Sequence, residues 1–413
     1  MPGRTIAIAG AGPAGLSAAL LLHRDGHQVT IFERFDAPRP IGSGLMLQPT
    51  GLAVLAELGL APRILSLGRR IDRLFGRVIP SQSVILDVRY RNLRADLYGV
   101  AVHRAALFTP LFEAVRQCGI AIETNRDVAG VTEATADRVI LNFKDGSQAG
   151  PFDIVVDALG MRSSLAPLFG EQKRRDLPYG ALWTTLPWPD GVFAANSLEQ
   201  RYLRASTMIG VLPIGRRRAD GPNETAFFWS IKPDLYDAWR VVGLNSWKAR
   251  VAGLWPETMP LLDAIIDPEQ MTLARYSHHT LAHPVAGRVV AIGDSAHAAS
   301  PQLGQGANMA MLDARALAIA LRKVEGIPAA LAHYVALRRW HIHFYQYLSA
   351  IFTPFYQSDS RVLPPLRDWL VAPATRLPLI RSFVAGTVAG TILDPRPSLS
   401  LGVNAVTSQL QAG

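Results

Sequence analysis

The chain has a single cysteine, Cys118, in 413 residues. No internal disulfide can form and a cysteine-based metal site is excluded, so a reducing, cytoplasmic location is expected. Cys118 itself reads as a small core hydrophobe on the helix before Gly119. No uninterrupted apolar run of ~20 residues occurs, so no membrane-spanning helix is expected. Met1 to Leu22 does not read as a signal peptide, because Gly10, Gly12, Pro13 and Gly15 break what would be its apolar core. No internal repeat, low-complexity tract, Ser/His/Asp triad or metal box stands out, and no metal is expected. Charged residues are scarce, at 18%, whereas 49% are hydrophobic, which is ample for large cores. Acids are the minority charge: 33 against 42 Lys and Arg, a formal net charge of +9. The basic clusters are Arg69-Arg70, Arg89, Arg91 and Arg94, Lys173-Arg174-Arg175, and Arg216-Arg217-Arg218. They are scattered and not interleaved with aromatics, so no nucleic-acid partner is expected. They read as solvated surface, or as attraction for an anionic nicotinamide cofactor or an acidic substrate.

What is present is a pair of glycine turns far apart in the chain. Thr5 to Ala9 reads as a buried strand. It leads into Gly10-Ala-Gly12-Pro-Ala14-Gly15 and a helix that stops at Gly26. Gln28 to Phe32 is a second strand, closed by Glu33. This is a βαβ dinucleotide unit. Gly10 permits the tight turn, Gly12 admits a pyrophosphate to the backbone, and Gly15 lets helix and strand pack closely. Glu33 stands where its carboxylate can accept from a ribose hydroxyl. The second turn is Gly293-Asp294-Ser295-Ala296-His297-Ala-Ala-Ser-Pro301-Gln-Leu-Gly304-Gln305-Gly306-Ala307-Asn308. It follows an apolar run from Val289 to Ile292 and precedes a long helical pattern. Strand, turn and helix start together aim free N–H groups at an anion or an electron-rich ring edge. Two such turns suggest one long ligand held at both ends, as FAD would be.

The length allows two or three domains. We expect an α/β chain: a doubly wound FAD-binding domain over 1–71, 99–172 and 272–345, an inserted β-rich substrate domain over 72–98 and 173–271, and a helical C-terminal segment over 346–413. Ile41 to Thr50 leads into a helix from Gly51 to Leu58. His103 to Gln117 opens with a helix start, and Lys144-Asp145-Gly146-Ser147 reads as a hairpin turn. Trp239 to Ile266 is mostly helical with breaks at Pro256 and Pro260. Helices follow from Ala307 to Arg322 and from Pro328 to Ser349. From Pro354 onward, proline breaks alternate with short amphipathic pieces. Leu363 to Leu379 mixes leucine, arginine and proline, which suits packing on its own domain, a dimer seam or a membrane surface. Trp183, Phe228 and Trp229 are candidates for a substrate cavity wall or for plain core.

Three motifs in order give a resemblance that spans nearly the whole chain. They are Gly10-x-Gly12-x-x-Gly15 with Glu33; His103-Arg104-x-x-Leu107-x-x-x-Leu111; and the Gly293 to Asn308 stretch. The chain resembles the FAD-dependent aromatic hydroxylases, single-component flavoprotein monooxygenases related to p-hydroxybenzoate hydroxylase and the ubiquinone-pathway hydroxylases. The resemblance implies FAD as cofactor and NADH or NADPH as electron donor. It implies hydroxylation of a hydrophobic aromatic or polycyclic small molecule by O₂ through a flavin C4a-hydroperoxide, in a monomer or homodimer. It assigns Gly10, Gly12, Ala14 and Gly15 to the diphosphate turn, and Glu33 with Arg34 to the adenosine ribose. Arg104 is assigned to the phosphate and ribityl region, Val128 to adenine through its backbone, and Asp294 to a ribityl hydroxyl. Pro301 falls near the reactive flavin face, and Gly304, Gln305, Gly306, Ala307 and Asn308 at the N1–C2 carbonyl edge. A helix N-terminus there stabilises the negative charge of reduced flavin. No general base or other catalytic residue is assigned, and His297 reads as a structural hydrogen-bonder. One position departs from the family. Aligned on Gly160 and Ser163, Leu159 stands where the family has an aspartate tied to FAD and NAD(P)H, and Asp157 lies two positions earlier. That departure leaves an FAD-dependent oxidase, reductase or halogenase as an alternative, and a non-catalytic flavoprotein that binds a partner through its C-terminal region is another.

Overall fold

The computed structural model of the chain describes residues 3–37, 43–171 and 173–393. Ile41 and Gly42, read above as a lead-in to a helix, lie outside the described residues, as do the last twenty positions of the C-terminal segment.

The architecture is mixed α/β, built on two large sheets. In the first, Thr5–Ala9 is central and pairs in parallel with Gln28–Phe32 on one side and Ile154–Asp157 on the other. Ala121–Glu123 and Val289–Ala291 extend it in parallel, and Val285–Ala286 closes one edge antiparallel. These strands are near-continuous runs of Ile, Val and Ala because both faces are covered. Helices Pro13–Arg24 and Gly306–Lys323 pack together on one face, and fourteen residues of the second are buried. On the other face lies the three-stranded meander Val128–Thr135, Arg138–Phe143 and Gln148–Phe152. All five parallel strands end at the same edge, so the turns after Ala9, Asp157 and Ala291 converge there.

The second sheet has seven strands, in the order Thr272–Ala274, Gly180–Pro187, Asn223–Ile231, Thr207–Arg216, Ser197–Leu203, Arg73–Val78 and Val84–Arg89. Residues 73–89 and 180–274 thus meet in one sheet through the parallel pairing of Ser197–Tyr202 with Arg73–Val78. Its edge strand runs to Ala274, beyond residue 271, because Leu273 pairs with Leu182. Side chains alternate between its faces. Trp183 and Phe228 are cross-strand partners on one face, with ring centroids 4.5 Å apart. Trp229 points the other way, into a separate core with Trp239, Trp247 and Trp255.

Two local readings change. Cys118 is exposed, because it caps the C-terminus of helix Arg104–Gln117 where the chain turns outward. The long C-terminal helix runs past Ser349 and through Pro354, as Ile327–Tyr356. Pro354 lies in its last turn, where few backbone bonds remain to be lost. Between Trp239 and Ile266 the breaks fall as expected, with Pro256 opening one short turn and Pro260 the next.

Candidate active site

One cleft of about 1120 Å³ runs along the convergent strand ends and on under the second sheet. It exceeds the ~300–1,000 Å³ of a pocket for a single small molecule. Its lining includes Gly10, Gly12, Ala14, Glu33, Arg34, Arg104, Asp294, Pro301, Gly304, Gln305, Gly306 and Ala307. The fold therefore gathers the two glycine turns and the intervening Arg104 around a single space.

The first turn is shaped by close approach. Gly10 has φ +105°, and a Cβ there would lie 2.5 Å from the Ala158 carbonyl oxygen. A Cβ on Gly15 would overlap the Gly10 carbonyl oxygen, so Gly15 is a packing residue and does not line the cleft. A Cβ on Gly12 would meet no protein atom within 4 Å, since it faces the cleft. Gly12 caps helix Pro13–Arg24 without a side-chain bond, leaving first-turn N–H groups free to meet an anion. The Glu33 carboxylate accepts from the Ala11 N–H at 2.8 Å and the Phe35 N–H at 3.2 Å, which fixes it at the rim. Arg104 opens helix Arg104–Gln117 with its side chain exposed to the cleft.

Helix Gly306–Lys323 also starts without a side-chain cap, beneath the left-handed Gly304. Asn308 sits behind this turn, fully buried. Its Oδ1 accepts from the Gln48 N–H at 2.8 Å, and its Nδ2 donates to the Met46 and Gly304 carbonyls at 3.0 and 2.9 Å. Val128 is likewise buried away from the cleft, and its carbonyl accepts from Ser164 Oγ at 2.5 Å. Neither side chain faces the cleft. Both fix segments that do.

Two buried charge networks hold the turns, and spacing alone did not reveal either. Asp157 Oδ1 accepts from the Leu159 N–H and from Ser295 Oγ, both at 3.0 Å, and its Oδ2 accepts from Ser163 Oγ at 2.6 Å. Ser295 Oγ accepts in turn from the Gly160 N–H at 2.8 Å. Burial raises the Asp157 pKa against these bonds. Leu159 lines the cleft and packs against the core under the meander. So Asp157 supplies from the strand a brace between the Leu159–Ser163 turn and the Asp294–Ser295 turn.

The second network begins at His297, which lines the cleft. Its Nε2 bonds Asp313 Oδ2 at 2.6 Å, and the same oxygen accepts from the Gly293 N–H at 2.8 Å. Arg338 Nε donates to Asp313 Oδ1 at 2.6 Å. Burial alone would raise the Asp313 pKa, but His297 and Arg338 outweigh it and hold the carboxyl well below the usual range. Arg338 Nη1 lies 3.1 Å from His341 Nδ1, and His341 Nε2 3.1 Å from the Gly390 carbonyl. An arginine only donates, so the His341 proton sits on Nε2. Burial and the Arg338 charge push His341 down to about 3.

Beyond the second turn the cleft is apolar and aromatic. Trp183, Phe228, Tyr202, Met208, Leu212 and Tyr356 line it. Trp183 Nε1 donates to the Tyr276 hydroxyl at 2.7 Å, leaving the indole body free for packing. Burial pushes Tyr276 up to about 12, so it stays a neutral phenol. The segment Val371 to Val388 closes this end. A long charged ligand fits one half, with two uncapped helix starts and Arg104. An apolar ring fits the other.

Known proteins share this chain's sequence pattern and fold. The sequence pattern of the family described as "FAD binding domain" matches residues 4–343. The FAD-dependent urate hydroxylase of Klebsiella pneumoniae is 26% identical over 337 residues, covering 80% of this chain and 85% of that protein. The 3-amino-4-hydroxybenzoate 2-monooxygenase of Streptomyces cremeus is 28% identical over 355 residues, covering 81% and 82%. The crystal structure of Klebsiella pneumoniae HpxO complexed with FAD and uric acid shares the fold. Its TM-score is 0.79 at 22% identity, over 94% of this chain and 98% of that one.

Proposed function

The chain belongs to the FAD-binding family that its residues 4–343 match, and from that premise we propose a specific activity. It is an FAD-dependent monooxygenase that uses NADH or NADPH and O₂ to hydroxylate a hydrophobic, aromatic small molecule. The observation that carries this reading is the single cleft whose one half is built for a dinucleotide and whose other half is apolar. When bound, FAD supplies electron transfer and the activation of O₂. The protein supplies the rest. Gly10, Gly12 and the start of helix Pro13–Arg24 hold the diphosphate, and Glu33 holds the adenosine ribose. Gln305 to Ala307 would present N–H groups at the uncapped start of helix Gly306–Lys323 to the edge of the ring system that becomes negative on reduction. Trp183, Phe228, Tyr202 and Met208 seat the substrate and exclude water, which favours oxygen transfer over release of H₂O₂.

A second reading has one observation in its favour. Leu159 stands on the cleft wall at the family's aspartate position, which suits a flavin oxidase or reductase. One experiment separates them. FAD-loaded protein is supplied with NADH or NADPH and a panel of phenols, quinolones and larger fused rings. The expected result is substrate-accelerated cofactor oxidation with an equivalent of oxygenated product. H₂O₂ release with no oxygenated product across the panel would overturn the monooxygenase reading and leave the oxidase.

A further inference from the structure

One of the helical segments that wall the apolar end of the cleft is inside out. Leu363 to Ala374 is one helical run, with a π-helical turn at Arg367–Val371. Its inward positions are small or polar: Pro364, Arg367 and Ala372 are buried. Arg367 is held there by Asp368 and by the Arg204 and Phe355 carbonyls. Its outward positions are Leu366, Trp369, Leu370 and Pro373, a spacing of i, i+3, i+4 and i+7, and Leu377 follows in extended backbone just before the next helix. Trp369 is 85% exposed, and Leu379, two residues after Leu377, is 87% exposed. A surface helix of a water-soluble domain turns such a stripe to the core, and a contiguous patch left outside marks an interaction surface.

Charge narrows the occupant. Between 360 and 393 the chain carries four arginines and one acid, and that acid, Asp368, is matched to the buried Arg367. Arg361 and Arg376 are exposed, with no ion-pair partner among the described residues, whereas Arg381 lines the cleft. Arginines on and beside the strand pair Arg73–Val78 and Val84–Arg89 differ in having acidic partners: Arg70 pairs with Asp72, Arg73 and Arg89 share Asp87, and Arg94 pairs with Asp96. An outward apolar stripe with unpaired arginines beside it is the composition of an interfacial helix on an anionic bilayer. Position agrees, because Val371, Thr375 and Phe383 of the same segment line the cleft on its inner side.

We propose that the surface formed by Leu366, Trp369, Leu370, Leu377 and Leu379, with Arg361 and Arg376, docks the protein on a membrane rich in anionic phospholipid. The apolar end of the cleft is thereby placed next to the lipid. The binding readout needs no turnover, so it stands whether or not the monooxygenase reading does.

The test is flotation of the FAD-loaded full chain with vesicles of phosphatidylcholine alone or with added phosphatidylglycerol, read together with Trp369 emission. Two variants accompany it: Trp369→Ser with Leu370→Ser, and Arg361→Glu with Arg376→Glu. Retained flavin absorbance shows that each variant is folded. We expect co-flotation only with the anionic vesicles, weakening as salt rises. The arginine variant should lose ~5-fold or more per position, and the Trp369/Leu370 variant should stay in the load fraction. Flotation that fails, ignores lipid charge or survives both variants would overturn the proposal. So would a concentration-dependent dimer whose interface covers Trp369.

Discussion

Gly12 and Gly15 lie three residues apart in one turn, yet the structure assigns them different physical duties, and alanine should separate them. At Gly12 the backbone has φ −74° and ψ 178°, which any residue adopts, and an added methyl meets no protein atom within 4 Å. Lower chain entropy of alanine in the unfolded state stabilises by ~0.4–1 kcal/mol, and its poorer N-cap costs a similar amount. The unloaded Gly12→Ala protein should therefore keep its stability to within about 0.5 kcal/mol. The methyl instead occupies the space in front of the free N–H groups. Losing one N–H bond to a charged oxygen costs about 2–3 kcal/mol, so FAD should bind ~30- to ~150-fold more weakly. At Gly15 the methyl strikes the Gly10 carbonyl oxygen and lies 3.2 Å from Ile8 Cγ2. Backbone must move, so Gly15→Ala should destabilise the unloaded protein by about 1–3 kcal/mol. Thermal unfolding without ligand and a fluorescence titration with FAD read the two effects independently. Unaltered FAD affinity in Gly12→Ala, or unfolding of that variant as early as Gly15→Ala, would refute the assignment of the diphosphate to this turn.

Three further outcomes follow from the buried groups. Asn308→Ala strands the Gln48 N–H and the Met46 carbonyl, and should cost about 2–4 kcal/mol along with FAD retention; chemical denaturation checks it. A Cβ on Gly210 would strike the Phe228 ring tip, so Gly210→Ala should push that ring into the cleft. Substrate KM should then rise severalfold at unchanged FAD affinity, measured by steady-state kinetics beside a flavin titration. His341 is buried with its pKa at about 3, below the ~6.5 of an unfolded chain. The unfolded state therefore binds an extra proton between those values. Stability is full above ~6.5 and falls by about 1.4 kcal/mol per pH unit as pH drops towards 3. His341→Gln should flatten that slope by one proton's worth in a melting-temperature series from pH 7 to pH 4.

What the sequence made legible was local. The spacing of Gly10, Gly12, Gly15 and Glu33 is set by one strand, one turn and one helix, so it can be read without knowing the rest of the chain. The same holds for Gly304 to Ala307 at the start of the next helix. What escaped were partnerships across distance. Asp313 and Arg338 are twenty-five residues apart on different helices, and Asp157 meets Ser295 only because two parallel strands are neighbours in the first sheet. No periodicity encodes such pairs. The aromatic strands lie between these cases. Alternation separates Phe228 from Trp229, but only the pairing with Trp183 and the placing of the cleft say which of the two faces a ligand. The tail carries the weakest signal of all. Its leucines have helical spacing, and spacing cannot say whether a stripe faces inward.

The first strand, Thr5–Ala9, lies between Gln28–Phe32 and Ile154–Asp157, and the turn it feeds shares its cleft with Gly304 and Val388. The pocket thus exists only once Gly10 and Gly12 share a wall with Thr387 and Val388, residues brought together by the fold and not by sequence. Loosening helix Pro378–Ala389 would therefore open one wall of the pocket that the first glycine turn begins.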